Sequence, residues 1–140
     1  MTSIPRKKVT LKLFYMLKNK NILVTGACGT VGAELVRQLL SEQYQVAGLT
    51  ALDNNESELF FLTEEYADQS NVHFYLGDLR DRDKLGAKMR GIDVVLHSAA
   101  LKHVILCEES PTDAVQTNIL GTQNVIDGAV ANGVEPVSYT

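Results

Sequence analysis

From residue 21 onward the chain alternates short apolar runs with longer amphipathic stretches, and that alternation leaves few folds open to it. Segment 21–25 (NILVT) is short, branched and followed by glycine, the pattern of a strand buried on both faces. Residues 30–41 show helical spacing, with Val31, Leu35 and Leu39 on one face and Glu34, Arg37 and Gln38 off it. The same criteria predict strands over 45–53, 72–76 and 92–97 and helices over 56–69 and 81–90. They also predict one long helix over 111–132, with Pro111 in its first turn and Gly133 just past its end. A fifth strand begins at 136–140. Such strand–helix alternation implies an α/β fold of parallel strands joined by right-handed crossovers.

Between the first strand and the first helix lies Thr25-Gly26-Ala27-Cys28-Gly29-Thr30-Val31-Gly32, a G-x-x-G-x-x-G spacing. A pyrophosphate needs free backbone N–H groups and the positive end of a helix, with no side chain in the way. Gly26 permits the tight turn, Gly29 lets the backbone approach phosphate, and Gly32 lets the helix pack close to the strand. Asp53 follows Gly32 by 21 residues, at the end of the second strand. That acid is placed to accept hydrogen bonds from adenosine ribose hydroxyls, and its charge opposes a 2′-phosphate. Loop, context and acid together predict a Rossmann-type doubly wound parallel sheet that binds NAD. NADP remains open, because Asn54 and Asn55 beside Asp53 soften the preference. No G-K-[ST] follows the glycines, which excludes a nucleotide-triphosphate loop.

Composition narrows the partners. The net charge is −4, yet residues 1–20 hold six cations and no acid, so the remainder stands at −10. An acidic body with few aromatics and no tryptophan is a poor nucleic-acid binder. The chain divides into a basic arm, 1–20, and a cofactor-binding domain, 21–140. Within the arm, residues 9–17 (VTLKLFYML) suggest a basic amphipathic helix that touches a membrane surface or a partner subunit, or simply packs on a domain. The only cysteines, Cys28 and Cys107, form no disulfide framework, and the chain has neither a secretory signal nor a membrane-length apolar run, so a reducing cytoplasm is expected. His97, His103 and Cys107 lack zinc-ligand spacing. His97 lies in an apolar strand and reads as a satisfied core histidine. Cys28 is either a thiol activated by the helix N-terminus or a small residue tolerated in the loop.

Further matches follow in order: Gly77-Asp78-Leu79 after the third strand, His97-Ser98-Ala99-Ala100 at the end of the fourth, then Asn118 and Gly121-Thr122-Gln123-Asn124-Val125. With the glycine loop they resemble the extended short-chain dehydrogenase/reductase superfamily. Leu52-Asp53-Asn54-Asn55-Glu56, Gly77-Asp78-Leu79-Arg80-Asp81 and Ala99-Ala100-Leu101-Lys102-His103-Val104, with Cys107-Glu108 and Pro111, narrow the resemblance to bacterial UDP-N-acetylglucosamine 4,6-dehydratases of the polysaccharide-biosynthesis group. It covers residues 21–140, roughly the first third to half of such an enzyme. It implies an NAD(P)-binding lyase in which the C4 position of a UDP-sugar is oxidised, water leaves across C5–C6 and hydride returns to C6. It also implies cofactor contacts at Gly26, Cys28, Gly29, Thr30, Val31, Gly32, Asp53, Asn54, Asp78, Leu79, Ala99, Ala100 and Asn118. Lys102 and His103 are expected near the sugar nucleotide, against the alternative of a solvated lysine beside a packed histidine.

The family's catalytic Asp-Lys pair and its Tyr/Met-x-x-x-Lys segment lie just past the fifth strand, and Tyr139 has only Thr140 after it. The chain is therefore expected to be the front portion of a longer enzyme, with no catalytic residue of its own and a sheet cut after about its fifth strand. An open sheet edge and uncovered apolar faces favour a homo-oligomer. Two other functions fit the residues: a nucleotide-sugar 4-epimerase or reductase of the same superfamily, and a non-catalytic NAD-binding module.

Overall fold

The computed structural model describes residues 6–99, 108–134 and 138–139. Strands β1 (Asn21–Thr25), β2 (Gly48–Asp53), β3 (Val72–Leu76), β4 (Val94–His97) and β5 (Ser138–Tyr139) form one parallel sheet in the order β3-β2-β1-β4-β5. Helices α2 (Thr30–Leu39), α3 (Glu56–Glu65) and α4 (Arg82–Lys88) connect the first four strands. Before β5 come α5 (Pro111–Val115), a π-helical turn (Gln116–Leu120) and α6 (Gly121–Ala131). This is the Rossmann-type doubly wound order expected from the sequence.

Side chains alternate across a strand, so β1 feeds two cores. Ile22 and Val24 join Val36 and Leu39 of α2 on one face, with Tyr66 just past α3 packed against the same cluster. Leu23 joins Leu85 of α4, Met89 and Val125 and Ala129 of α6 on the other. The chain first winds outward from β1 to β3, then crosses to β4 on the opposite side of β1. The strand order reverses between β1 and β4, and such reversals open a crevice at the carboxyl ends of the strands.

Beyond end shifts of one or two residues in α2, α4 and β4, four details depart from the sequence expectation. Val31, expected on the core face of α2, is 37% exposed, while Val36 is fully buried. Gly32 sets this phase: a Cβ there would lie 1.8 Å from the Gly26 carbonyl oxygen, so Gly32, Val36 and Leu39 must face the sheet. The second strand starts at Gly48 rather than 45, because Gln45 has φ +50° and cannot be extended. The helix expected over 56–69 ends at Glu65. The helix expected over 111–132 is interrupted by the π turn.

Ahead of the sheet, residues 9–17 lie within the helix α1 (Arg6–Leu17). Over residues 11–17, Leu11, Leu13, Tyr15 and Met16 are exposed together with Lys12. Leu17 is buried in the α2-side core, and the next turn is tied down where the Asn19 N–H donates to the Gln45 carbonyl at 2.9 Å. No helix among the described residues is long and apolar enough to cross a membrane.

The Gly26–Gly32 contact makes a sharp prediction. Gly32→Ala forces backbone apart and should cost about 3 kcal/mol or more, the upper range for overpacking. At Gly128 an added Cβ would press on the flexible end of Met89, with its sulfur 2.8 Å away, and meet the Gly86 Cα at an ordinary 3.7 Å. Gly128→Ala should therefore change stability by less than about 1 kcal/mol, helped by the helix preference of alanine. Urea denaturation of the two variants side by side tests the contrast.

Candidate functional site

The glycine loop is shaped by its backbone. Gly26 sits at φ +70°, in the left-handed region, and a Cβ there would lie 2.7 Å from the Ala99 nitrogen. The loop then turns on a Gly29 N–H to Gly26 carbonyl bond of 3.1 Å, and α2 begins with the Ala33 N–H on the Gly29 carbonyl at 2.8 Å. Gly29 is the N-cap and offers no side-chain acceptor, so the free N–H groups of the first turn of α2 have no capping side chain. Thr30 and Val31 occupy that turn with exposed side chains.

Beside this loop a cleft of about 380 Å³ runs along the carboxyl ends of β1, β2 and β3. Thr25, Gly26, Cys28 and Gly29 form its inner end with Ser98, Ala99 and Thr117. Leu52, Asp53, Asn54 and Asn55 follow β2, and Gly77, Asp78 and Leu79 follow β3. Lys84, Leu85 and Lys88 of α4 close the outer end. Of the expected cofactor residues, Gly26, Cys28, Gly29, Asp53, Asn54, Asp78, Leu79 and Ala99 thus meet in one cavity. Thr30, Val31 and Gly32 serve the loop from its helix side. Asn118 is half-buried in the π turn while its neighbour Thr117 lines the cleft. Ala100, Lys102, His103 and Cys107 lie outside the described residues.

Asp53 does more than face the cleft. Its Oδ2 accepts the Cys28 N–H and its Oδ1 the Asn55 N–H, both at 2.9 Å, so one carboxylate braces the glycine loop and the start of α3. Asp78 is gripped by Arg80, whose Nε lies 3.0 Å from both carboxylate oxygens and whose backbone N–H adds a bond of 2.9 Å. That guanidinium holds the Asp78 carboxyl below its ordinary pKa despite some burial. Leu79 is buried, its carbonyl accepts Asn124 Nδ2 at 2.8 Å, and Gly121 approaches so closely that a Cβ there would lie 2.8 Å from Leu79 Cβ. Cys28 is not an activated thiol. Burial first, then the Asp53 carboxylate, pushes it up to about 12, so the small-residue alternative holds.

Sequence reasoning missed Thr25, Thr117, Lys84 and Lys88. The lysines carried a usable signal, an i, i+4 pair on a helix capped by Asp81, whose carboxylate accepts the Lys84 N–H at 3.1 Å. The role of Thr25 emerges only with His97. The imidazole is buried, with Nδ1 2.6 Å from Thr25 Oγ1 and Nε2 3.1 Å from Thr122 Oγ1. Thr122 donates its own hydrogen to the Asn118 carbonyl at 2.8 Å, so it must accept from Nε2–H. His97 is then the Nε2-protonated tautomer, and Nδ1 accepts the Thr25 hydroxyl. Thr25 Oγ1 in turn accepts the backbone N–H groups of Ser98 and Ala99 at 3.2 and 3.4 Å. One directed chain of hydrogen bonds therefore joins the ends of β1 and β4 to the π turn.

Burial lowers the His97 pKa below the ordinary imidazole value of 6.5. In the window beneath 6.5 the unfolded chain binds more protons than the folded one, so acidification costs stability. The contribution is complete above the unfolded value, falls as pH drops through 6.5, and levels only below the folded-state pKa. The melting temperature should follow this course, and His97→Gln, which keeps a donor and an acceptor, should flatten it. Nitrogen NMR of the wild type should show the Nε2-protonated form. An Nδ1-protonated ring would refute the assigned chain.

Comparison with known proteins agrees with this geometry. The chain is 45% identical over 118 residues to an uncharacterized membrane protein of Methanocaldococcus jannaschii, covering 84% of this chain and 34% of that one. It is 38% identical over 120 residues to a UDP-N-acetylglucosamine 4,6-dehydratase (inverting) of Campylobacter jejuni, covering 86% and 35%. The structure of the dTDP-glucose 4,6-dehydratase DesIV from Streptomyces venezuelae, with NAD bound, superposes with a TM-score of 0.73 at 32% identity, covering 84% of this chain and 38% of that one. The chain thus spans little more than a third of the length of these proteins. Residues 22–139 match the polysaccharide biosynthesis protein family, and the chain belongs to that family.

Proposed function

We propose that this chain is the cofactor-binding portion of a nucleotide-sugar 4,6-dehydratase acting on UDP-N-acetylglucosamine, with a nicotinamide dinucleotide held in the cleft. The observation that carries the proposal is Gly29. Packing explains the other two glycines of the loop, since a Cβ at Gly26 or Gly32 would strike backbone. At Gly29 a Cβ would meet only the Gly26 carbonyl oxygen, at an ordinary 3.4 Å. The fold leaves room for a side chain there, and a phosphate against the first turn of α2 does not.

The rest of the cleft fits the same ligand. The first-turn N–H groups of α2 receive the pyrophosphate, Asp53 with Asn54 faces the adenosine ribose, and Asp78 and Leu79 border the adenine. Ala99 presents a small surface to the remainder of the cofactor, with Ala100 next in the sequence, and Thr117, the neighbour of Asn118, lines the same cleft. Bound there, the cofactor supplies the hydride exchange of a sugar oxidation–reduction cycle. Lys102 and His103, on the segment after Ala99, are the proposed contacts to the UDP-sugar. The chain's apolar residues left exposed around the π turn and α6, including Ile119, Leu120 and Val130, support self-association. The two-cysteine composition supports a reducing, cytoplasmic setting.

Among the described residues, the titratable groups lining the cleft are Cys28, Asp53, Asp78, Lys84 and Lys88. The thiol is held protonated, and both carboxylates are occupied by other donors. Proton transfer at C4 and C5 of a sugar needs an acid and a base within hydrogen-bond reach, and the thiol and both carboxylates are not free for it. The 140 residues are therefore expected to bind cofactor without turnover. A protein of the relatives' full length that carries this segment should release one water from UDP-N-acetylglucosamine, detectable by mass spectrometry, and turnover by the 140 residues alone would contradict the division of labour.

Binding is tested separately by calorimetry. Gly29→Val should weaken NAD by at least about tenfold, the loss of one or two charge-assisted bonds, while the melting temperature stays within a few degrees. Asp53→Ala should shift the balance from NAD toward NADP and weaken both, because the Cys28 and Asn55 N–H groups lose their acceptor. Unchanged NAD affinity in Gly29→Val would sink the proposal.

A further inference from the structure

Two helices on the α2 side of the sheet carry apolar and charged side chains that the fold leaves unused. On α3, Phe60 and Phe61 are 61% and 63% exposed and lie edge to face, their ring centres 5.8 Å apart. Glu56, Glu58, Glu64 and Glu65 are exposed around them, and α3 contains no basic residue. On α1, Leu11, Tyr15 and Met16 are exposed, and the only charged residues are Arg6, Lys7, Lys8 and Lys12. Among the described residues, Lys12 and the four glutamates of α3 make no ion pair. The two helices flank one core, on which Leu17 at the end of α1 and Tyr66 just past α3 both pack. One helix is basic, the other acidic, and each exposes a large apolar surface.

Both helices also set charge against their own dipoles. Arg6, Lys7 and Lys8 open α1 at its positive end, and Glu64 and Glu65 close α3 at its negative end. An antiparallel partner relieves both at once, because it lays the amino end of α1 beside the carboxyl end of α3. The apolar residues then meet as well. Leu11, Tyr15 and Met16 follow the first-turn cations by about one to two turns, and Phe60 and Phe61 precede Glu64 and Glu65 by one turn. We propose that α1 of one chain packs antiparallel on α3 of a second copy, and α3 on α1 of that copy, forming a two-fold dimer. Tyr15, Phe60 and Phe61 of both chains, with Leu11 and Met16, offer on the order of 1,000 Å² to bury, where specific interfaces begin. An anionic lipid surface would suit α1 alone but leave the phenylalanine pair of an acidic helix uncovered; a second copy covers both. No residue of α1 or α3 lines the cleft, so the inference is independent of the nucleotide reading.

Charge exchange tests the pairing, read by sedimentation equilibrium of the 140-residue chain at low salt, with circular dichroism confirming that each variant folds. The wild type should dimerise in the micromolar range, and added salt should weaken the dimer. Lys7→Glu/Lys8→Glu and Glu64→Lys/Glu65→Lys each set like charges against one another, and each should weaken dimerisation by at least about tenfold. Mixed in equal amounts, the two variants should associate with each other as the wild type does, since each supplies the sign that the other lacks. Phe60→Ser/Phe61→Ser should abolish the dimer and leave the melting temperature within a few degrees, because the rings are exposed. A monomeric wild type would overturn the proposal, and binding of that monomer to phosphatidylserine vesicles would assign α1 to a lipid surface instead. A dimer indifferent to all three variants would also overturn it, placing self-association at the π turn and α6. Failure of the mixed variants to associate would do the same, since the charges would then act within one chain.

Discussion

The carbonyl of Gly26 occupies the place where a side chain at residue 32 would begin, and the backbone leaving β4 passes so close to Gly26 that a Cβ there would lie 2.7 Å from the Ala99 nitrogen. These two close backbone approaches, with room for no Cβ at Gly26 or Gly32, hold β1, α2 and the loop after β4 together at the point where the strand order reverses. A parallel sheet opens a crevice at such a point, and its width is set by how closely the flanking backbones approach. The same contacts rotate α2 so that Val36 and Leu39 fill the core and Gly29 faces the cleft. Core packing and ligand cradle are thus two consequences of one steric constraint. Within the loop the Asp53 carboxylate satisfies the Cys28 N–H, a brace supplied by the chain itself.

The far side of the crevice is organised by hydrogen bonds instead of close packing. A π turn widens the helix and leaves its carbonyls poorly matched to the usual donors. The Thr122 hydroxyl takes up the Asn118 carbonyl, and the chain of donors runs on through His97 to Thr25, beside the glycine loop. A neutral imidazole is the one side chain that can both accept from Thr25 and donate to Thr122 across this gap in a rigid ring. Burial keeps it neutral, so desolvation here serves geometry. The two walls of the cleft, one steric and one hydrogen-bonded, meet at Thr25, which holds the Ser98 and Ala99 N–H groups as well.

Much of this was legible in the sequence, for identifiable reasons. Strand and helix order follow from periodicity, and the glycine spacing with Asp53 locates the crevice before any coordinate. What escaped was decided by contacts between distant segments. Helical spacing alone put Val31 in the core, because it could not see that Gly32 must lie under the Gly26 carbonyl. The π turn is invisible in the periodicity of residues 111–132 because its five residues, Gln116–Leu120, are too short a stretch to establish a period of their own. Gln45 reads as a strand residue until its positive φ brings its carbonyl within reach of the Asn19 N–H. Lys84 and Lys88 look like an ordinary solvated pair until α4 is seen to wall the cleft.

Cys28 shows how competing effects are settled by size. A helix N-terminus favours a thiolate, but that pull is worth about 0.3–1 kcal/mol at a partly exposed site, less than one pH unit of titration. Against it stand partial burial and the Asp53 carboxylate, which together take the thiol from 9.0 up to about 12. The opposing effects win, and the thiol stays neutral. A thiolate beside Asp53 would place a second negative charge at the mouth of a loop suited to phosphates, weakening the attraction that the helix terminus provides. Burial and the acid that braces the loop thereby keep the thiol uncharged, so no second negative charge is added beside Asp53 at the mouth of the loop.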